Sequence, residues 1–404
     1  MVIGIIGGGA SGMAAAITAA QNPNVQVLLF ERQARLGRKL QATGNGRCNL
    51  SNQKTDISRY HGQNAGFADF ALKQFDPDNT VSWFRDLGLF TVAEQSGKIY
   101  PYSDQANSVV DILRFALDKE NITVITGCEI EKIRTQAEGF SLSDGENTYQ
   151  CHKLIIACGG LAGTKLGGTM SGYKLLGKLG HKCTKLRPAL VQLKCAWTGV
   201  VALKGVRTNC AVQILCNKEI WNCSAGELQF TEYGISGPVI FEVSRDVCST
   251  KNRWTARLDF LPNLSREDLL GELKRRTETN LSVEDLLTGI LHNRLGRVLT
   301  KAAGVSAKDV TAQLSDVQLA AVVDAVKAFE IELAEPLGMD SAQVTAGGVI
   351  TEQFDPQTME SKLVSGLYAC GEILDIDGDC GGFNLQWAWS SGRLAGMSAG
   401  KEVL

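Results

Sequence analysis

The residues best placed to do chemistry stand at the start of the chain, in the hexapeptide Gly7-Gly8-Gly9-Ala10-Ser11-Gly12. It has the G-x-G-x-x-G spacing, with Ala16 four residues on. It lies between a short β-type run, Val2–Ile6, and a small-residue stretch, Ser11–Gln21, that reads as helix. Each glycine of the pattern answers a separate steric need. Gly7 permits a tight turn, Gly9 lets a pyrophosphate approach backbone N–H groups at the helix N-terminus, and Gly12 lets helix and strand pack closely. Ala10 and Ser11 belong to the same anion-facing turn. Nineteen residues after Gly12, Glu31 closes the run Val25–Glu31, where a carboxylate can hold both hydroxyls of an adenosine ribose. The same carboxylate would repel a 2′-phosphate and so disfavours NADP at this position.

The residues after Glu31 point to FAD over NAD. Arg32 comes next, then Gly37-Arg38-Lys39, then Ala42-Thr43-Gly44-Asn45-Gly46-Arg47-Cys48-Asn49-Leu50-Ser51-Asn52. An acid and then a glycine-basic turn suit the longer cofactor, which runs on past the ribose, and Arg32, Arg38 and Lys39 can neutralise its phosphates. Near the other end, a strand leading into Cys370-Gly371-Glu372 supplies backbone and a carboxylate beside the ribityl-pyrophosphate, with Asp375 just beyond. Gly381 and Gly382 precede a helix starting near Asn384-Leu385. Its N-terminal dipole would face the isoalloxazine N1–C2=O edge, which becomes anionic on reduction.

These blocks resemble the BaiN/YhiN-type flavoproteins, a bacterial family of FAD-dependent oxidoreductases. The resemblance is carried by GRKLQATGNGRCNLSN, by Tyr100-Pro101-Tyr102-Ser103, by the Cys158-Gly159-Gly160 turn and by Phe230–Pro238. It continues in Thr345–Val349, Gly371–Gly378 and Gly381–Ala388, so it is distributed over nearly the whole chain. It implies an α/β fold: a Rossmann-like FAD-binding domain in two parts, of the two-dinucleotide-binding-domain flavoprotein type, interrupted by a β-barrel-like and a small helical insert. It also implies cofactor contacts from Asn45, Gly46, Cys48 and Gly159. In many relatives the turn before Tyr173 carries an acid. Here the residues are Met170-Ser171-Gly172, so no acid/base role falls on that position.

Other candidate sites fail on spacing. Asp375–Asp379 suggests a calcium loop, but glycine stands fourth and Gln386 occupies the twelfth place, where glutamate is required. The twelve cysteines contain no C-x-x-C, and four histidines offer no paired spacing, so neither a metal site nor a flavin–disulfide exchange is expected. Ser236 lacks the nucleophile-elbow spacing, and Trp387 and Trp389 read as packing. No catalytic residue is named.

The elements that must position these groups follow from length and composition. At 404 residues the chain is long enough for two or three units. Its 43 glycines, about 11% against a usual ~7%, with only 8 prolines, belong to tight turns and close backbone approaches. The start reads as a βαβ unit. Ser103 can cap a helix through Asn121, Ile122–Ile125 and Leu154–Cys158 read as strands, and Gly366–Cys370 as one more. Between about Arg187 and Leu261 the runs are short and β-like, including Cys210–Cys216, Leu228–Phe230, Val239–Val243 and Trp254–Phe260. Beyond them, the capping pairs Ser265/Asp268, Ser282/Asp285, Ser306/Asp309 and Ser315/Gln318 mark helix starts. The expected organisation is therefore 1–186 and 341–404 for the FAD-binding domain, 187–262 for the β insert and 263–340 for the helical insert.

The function expected is an FAD-dependent oxidoreductase, most simply a reductase fed by NADH or NADPH that delivers hydride to a small organic acceptor such as a C=C bond. No second G-x-G-x-x-G marks a nicotinamide domain. The alternatives are an oxidase of small amines or aminoketones that makes H2O2, and a flavin-binding module acting through a protein or RNA partner. A net charge of −2 argues against a dedicated nucleic-acid binder, although it leaves room for a local basic patch. Glycines interrupt the apolar first twenty residues, so a cytoplasmic protein without a membrane anchor is expected, its oligomeric state open.

Overall fold

A computed structural model describes residues 1–401 apart from 251, 280, 307 and 308. The chain divides into two compact units, Met1–Pro188 with Gln343–Leu404, and Ala189–Ala342.

The first unit is built on a five-stranded, all-parallel sheet in the order Leu367–Ala369, Lys153–Ile156, Val2–Ile6, Gln26–Glu31, Ile122–Thr126. The central strands read as continuous apolar runs because both faces are covered, as parallel sheets require. On one face lie the first helix, Ala10–Ala19, and the last, Phe383–Gly400. Their contact depends on small residues at every fourth position. A side chain at Gly392 or Gly396 would overlap the backbone of Ser11 or Ala15, and one at Gly400 would touch Ala19 at 3.4 Å. Because 392, 396 and 400 track 11, 15 and 19 in the same order, the two helices run parallel. Phe383 begins the last helix nine residues before Gly392, so that helix extends about 13 Å beyond the level of Ser11. Both N-termini therefore point the same way, with one set well ahead of the other.

The second unit is a closed barrel of antiparallel pairs, in the order Leu193–Cys195, Gly234–Ser236, Glu219–Phe230, Arg207–Cys216, Trp254–Asp259, Phe329–Pro336. Trp254, Ala256 and Leu258 are buried while the residues between them are more exposed, the period-two pattern of a strand. The helices Arg266–Thr277, Asn293–Ala302 and Asp316–Lys327 share one apolar core with the barrel. Strand Phe329–Pro336, from the stretch expected to be helical, closes the barrel, so β and helical parts form one unit.

Three local expectations are corrected. Val239–Val243 is not a strand but the start of helix Pro238–Val247, where Gly237-Pro238 opens the first turn and Val239, Ile240, Val243 and Val247 bury one face. Ser103 caps nothing: the helix starts later, at Ala106–Leu117, because Asp104 turns the chain with a φ of 57°. Ser282 leads only into the short turn Val283–Asp285. Ser265 and Ser315 do cap their helices, Ser315 with a full capping box. The start expected at Ser306/Asp309 runs through residues outside those described. Among the described residues no helix is long and apolar enough to cross a membrane.

Candidate functional site

The carboxyl ends of the parallel strands gather the motif residues, the edge where open α/β sheets bind ligands. After strand Val2–Ile6, Gly7 turns with a φ of 114°, and its N–H donates to Phe30 O at 2.8 Å. A side chain at Gly12 would overlap the Gly7 carbonyl oxygen, whereas one at Gly9 would meet nothing within 4 Å. Gly12 is thus needed for packing, and Gly9 faces open space. Helical bonding begins with Met13 N–H to Gly9 O at 2.9 Å. The N–H groups of the turn at Ala10, Ser11 and Gly12 precede it and have no partner within the helix. Glu31 braces this turn, its Oε2 accepting from Gly8 N–H and its Oε1 from Gln33 N–H, both at 2.8 Å. Each carboxylate oxygen keeps a lone pair for a further donor.

The basic residues after Glu31 part ways. Arg32 donates to Gly167 O at 3.0 Å and Arg38 to Gln33 Oε1 at 2.8 Å, so both brace the surrounding loops. Lys39 Nζ instead lies 2.7 Å from Glu372 Oε2. Glu372 Oε1 accepts from Thr345 N–H at 2.8 Å, and Thr345 Oγ1 from Ala162 N–H at 2.9 Å. This chain ties the Gly159-Gly160 turn to both segments. The turn 43–48 has Gly44, Asn45, Gly46 and Cys48 all in the left-handed region, and side chains at Gly46 and Gly159 would point into open space. Cys48 is fully buried, and burial pushes its thiol up to about 12, so it is a neutral packing group.

At the last helix the first internal bond is Gln386 N–H to Gly382 O, 3.0 Å, which leaves the preceding N–H groups, at Phe383, Asn384 and Leu385, facing outward. Asn384's side chain is occupied: it accepts from Gly378 N–H at 2.8 Å and donates to Gly378 O at 2.7 Å, closing the loop before the helix. Gly371 is pressed against Ser11 and accepts from Trp387 Nε1 at 3.1 Å. Asp375 is buried and accepts from Gln63 N–H at 3.1 Å, so its carboxylate holds a neighbouring segment. Trp387 and Trp389 are buried, and Trp389 Nε1 donates to Leu50 O at 3.0 Å.

Two features escaped the sequence reading. Gln386 is fully buried, accepting from Ser51 Oγ at 2.5 Å and Thr80 Oγ1 at 3.1 Å and donating to Phe75 O at 2.7 Å. Asn49 is buried beside Gly382, and its Oδ1 has no hydrogen-bond partner among the described residues. The open space before Gly9, Gly46 and Gly159 and the orphaned amide oxygen at the far helix are features that a bound dinucleotide would satisfy.

Comparison with known proteins gives the family. Residues 1–398 match the model described as HI0933-like protein Rossmann domain. The chain belongs to this family. The 3-dehydro-bile acid Δ4,6-reductase of Clostridium scindens is 39% identical to this HI0933-like chain, with 99% of each covered. The ribosomal RNA dihydrouridine synthase of Haemophilus influenzae is 30% identical, with 98% of each covered. Among solved structures, 3-ketosteroid Δ1-dehydrogenase from Sterolibacterium denitrificans aligns with a TM-score of 0.53 at 10% identity, covering 98% of this chain and 99% of that one. That likeness is one of fold. The resemblance read from the motif blocks thus extends along the whole HI0933-like chain.

Proposed function

We propose that the chain is an FAD-dependent oxidoreductase that uses NADH or NADPH to reduce a carbon–carbon double bond conjugated to a carbonyl in a small organic substrate. The observation that carries this reading is the pair of parallel helix N-termini. One, at Gly9–Gly12, suits a pyrophosphate; the other, about 13 Å further on, suits a ring edge that takes up negative charge. Bound FAD would supply the hydride chemistry. The chain's own residues bind and orient. Glu31 retains lone pairs for ribose hydroxyls, the first-turn N–H groups at Ala10–Gly12 hold the diphosphate, and Lys39 brings a cation beside it. The backbone of Gly382–Leu385 favours negative charge at its N–H groups.

The substrate class is supported by what the relatives' names describe. A 3-dehydro-bile acid Δ4,6 system is conjugated to an oxo group. Dihydrouridine arises by saturating the C5=C6 bond of uracil, which is conjugated to the C4 carbonyl. The second relative favours another reading, in which the acceptor is a pyrimidine within RNA. A net charge of −2 supports the small molecule, because RNA binding rests on basic phosphate contacts.

The test is an anaerobic visible spectrum titrated with NADH and then NADPH, followed by a 3-oxo-Δ4 steroid or unmodified ribosomal RNA. Stoichiometric bleaching by one nucleotide, reversed by the enone, is the expected result. Reversal by RNA alone moves the assignment to the second reading. Purified protein without a flavin band overturns the cofactor. A band untouched by both nucleotides but bleached by amines, with peroxide released in air, makes the chain an oxidase.

A further inference from the structure

The polar side chains of the segment 49–52 have distinct fates. Ser51 Oγ donates to Gln386. Asn52 accepts from Lys54 N–H at 2.9 Å and donates to Gly381 O at 2.8 Å. Asn49 alone has a buried oxygen without a partner among the described residues, although the residue is only 8% exposed. Such a group is expensive to keep and calls for an explanation. Its position is set by its neighbours, since Leu50 N–H donates to Ile99 O at 2.8 Å and Leu50 O accepts from Trp389. Asn49 fills the gap between the left-handed turn and the last helix. A side chain at Gly44 would come within 3.6 Å of Asn49 Cβ, and one at Gly382 within 2.9 Å of Asn49 Oδ1. The orphaned acceptor therefore stands at the N-terminus of Phe383–Gly400, the helix end that suits the ring.

Resting on the FAD reading, we propose that Asn49 recognises the pyrimidine edge of the isoalloxazine, its Oδ1 accepting the ring N3–H. The argument is one of complementarity. That edge presents carbonyl, N–H, carbonyl: acceptor, donor, acceptor. A helix N-terminus offers only donors, which suit a carbonyl but leave N3–H unmatched. The missing acceptor has to stand beside that terminus, and Asn49 Oδ1 does. The amide Nδ2 adds a donor for the carbonyl on the other side of N3. A lysine would have no acceptor there, and an aspartate would add a negative charge.

The experiment reconstitutes the full-length apoprotein with FAD or with 3-methyl-FAD, which has a methyl group in place of the N3 hydrogen. Affinities are followed by quenching of flavin fluorescence. The wild type is expected to bind 3-methyl-FAD at least about tenfold more weakly than FAD. Asn49→Ala should bind FAD about tenfold more weakly than the wild type and no longer distinguish the two flavins. Equal binding of both flavins by the wild type overturns the proposal, and that comparison needs no variant to fold. Asn49→Asp preserves shape and acceptor but adds charge, so its bound FAD should have a lower midpoint potential than the wild type's. An unchanged potential counts against Asn49 touching the ring. Failure of FAD itself to bind the wild type overturns the cofactor reading and this proposal with it, an outcome distinct from equal binding.

Discussion

Lys39 Nζ meets Glu372 Oε2 at 2.7 Å, joining the basic segment after the second strand to a strand end 333 residues later. The two side chains are 32% and 20% exposed, so the pair itself adds only about 0–1 kcal/mol to stability. Its importance lies in charge balance, because Glu372 brings a carboxylate to a site proposed to hold a diphosphate. Lys39→Met should leave the melting temperature nearly unchanged while weakening FAD about tenfold, since one uncompensated charge near a phosphate is worth about 1–2 kcal/mol. Glu372→Gln should keep the Thr345 N–H bond and free Lys39, so FAD should bind as well or better. Flavin titration of the two variants checks the sign of each effect.

Gly9 and Gly12 differ in what a methyl group would meet. At Gly9 it enters open space, so flavin-free Gly9→Ala should fold and melt like the flavin-free wild type, while Gly9→Ala should purify with less flavin and Gly9→Val with none. At Gly12 it would overlap the Gly7 carbonyl, so Gly12→Ala should lower stability by about 2 kcal/mol or more, flavin or no flavin. Thermal melts paired with the flavin-to-protein absorbance ratio separate the two. A yellow, fully occupied Gly9→Val protein would remove the pyrophosphate from this turn.

The first βαβ unit was legible because its signals are local: an apolar run, a spaced glycine turn and an acid at the second strand end. The tight turn at Gly7 and the close packing at Gly12 are visible in spacing alone. Lys39 with Glu372, Asn49 with Gly382, and Gln386 with Ser51 were not, because each joins residues hundreds of positions apart that only the sheet order brings together. The Val239–Val243 run misleads for another reason. Its β-branched residues favour a strand on propensity, but Gly237-Pro238 starts a helix and tertiary burial of one face decides the outcome. Arg32 and Arg38 have the charge expected for phosphate, yet nearby carbonyl groups already bind them.

The parallel packing of the first and last helices predicts that Gly396→Val destabilises the first unit severely. Its side chain would overlap Ala15 O, forcing the helices apart and misplacing both N-termini. A loss of at least about 3 kcal/mol is expected, enough to deplete folded protein. Gly271→Ala is the matched control. It lies inside helix Arg266–Thr277 with nothing within 4 Å, so it should gain about 0.5–1 kcal/mol in a chemical melt.

Alkaline pH should weaken the fold through its buried thiols. Burial pushes Cys48, Cys151 and Cys370 from an ordinary value near 9 up to about 12. For each, the folded pKa lies above the unfolded one, so the neutral thiol is the form the fold prefers. The stability this contributes is complete below about pH 9 and is lost as pH rises from there toward 12, where the unfolded chain releases protons that the folded chain retains. The slope reaches about 1.4 kcal/mol per pH unit for each such thiol. Melting temperature should therefore be insensitive to these thiols between pH 7 and 8 and fall with increasing steepness above pH 9, and Cys48→Ala should lessen that fall. At pH 8 the same neutrality should protect all three from iodoacetamide in the folded protein, while the exposed Cys223 is open to attack. Peptide mapping after brief alkylation reads this directly, and rapid labelling of Cys48 in folded protein would show that the turn 43–48 opens to solvent.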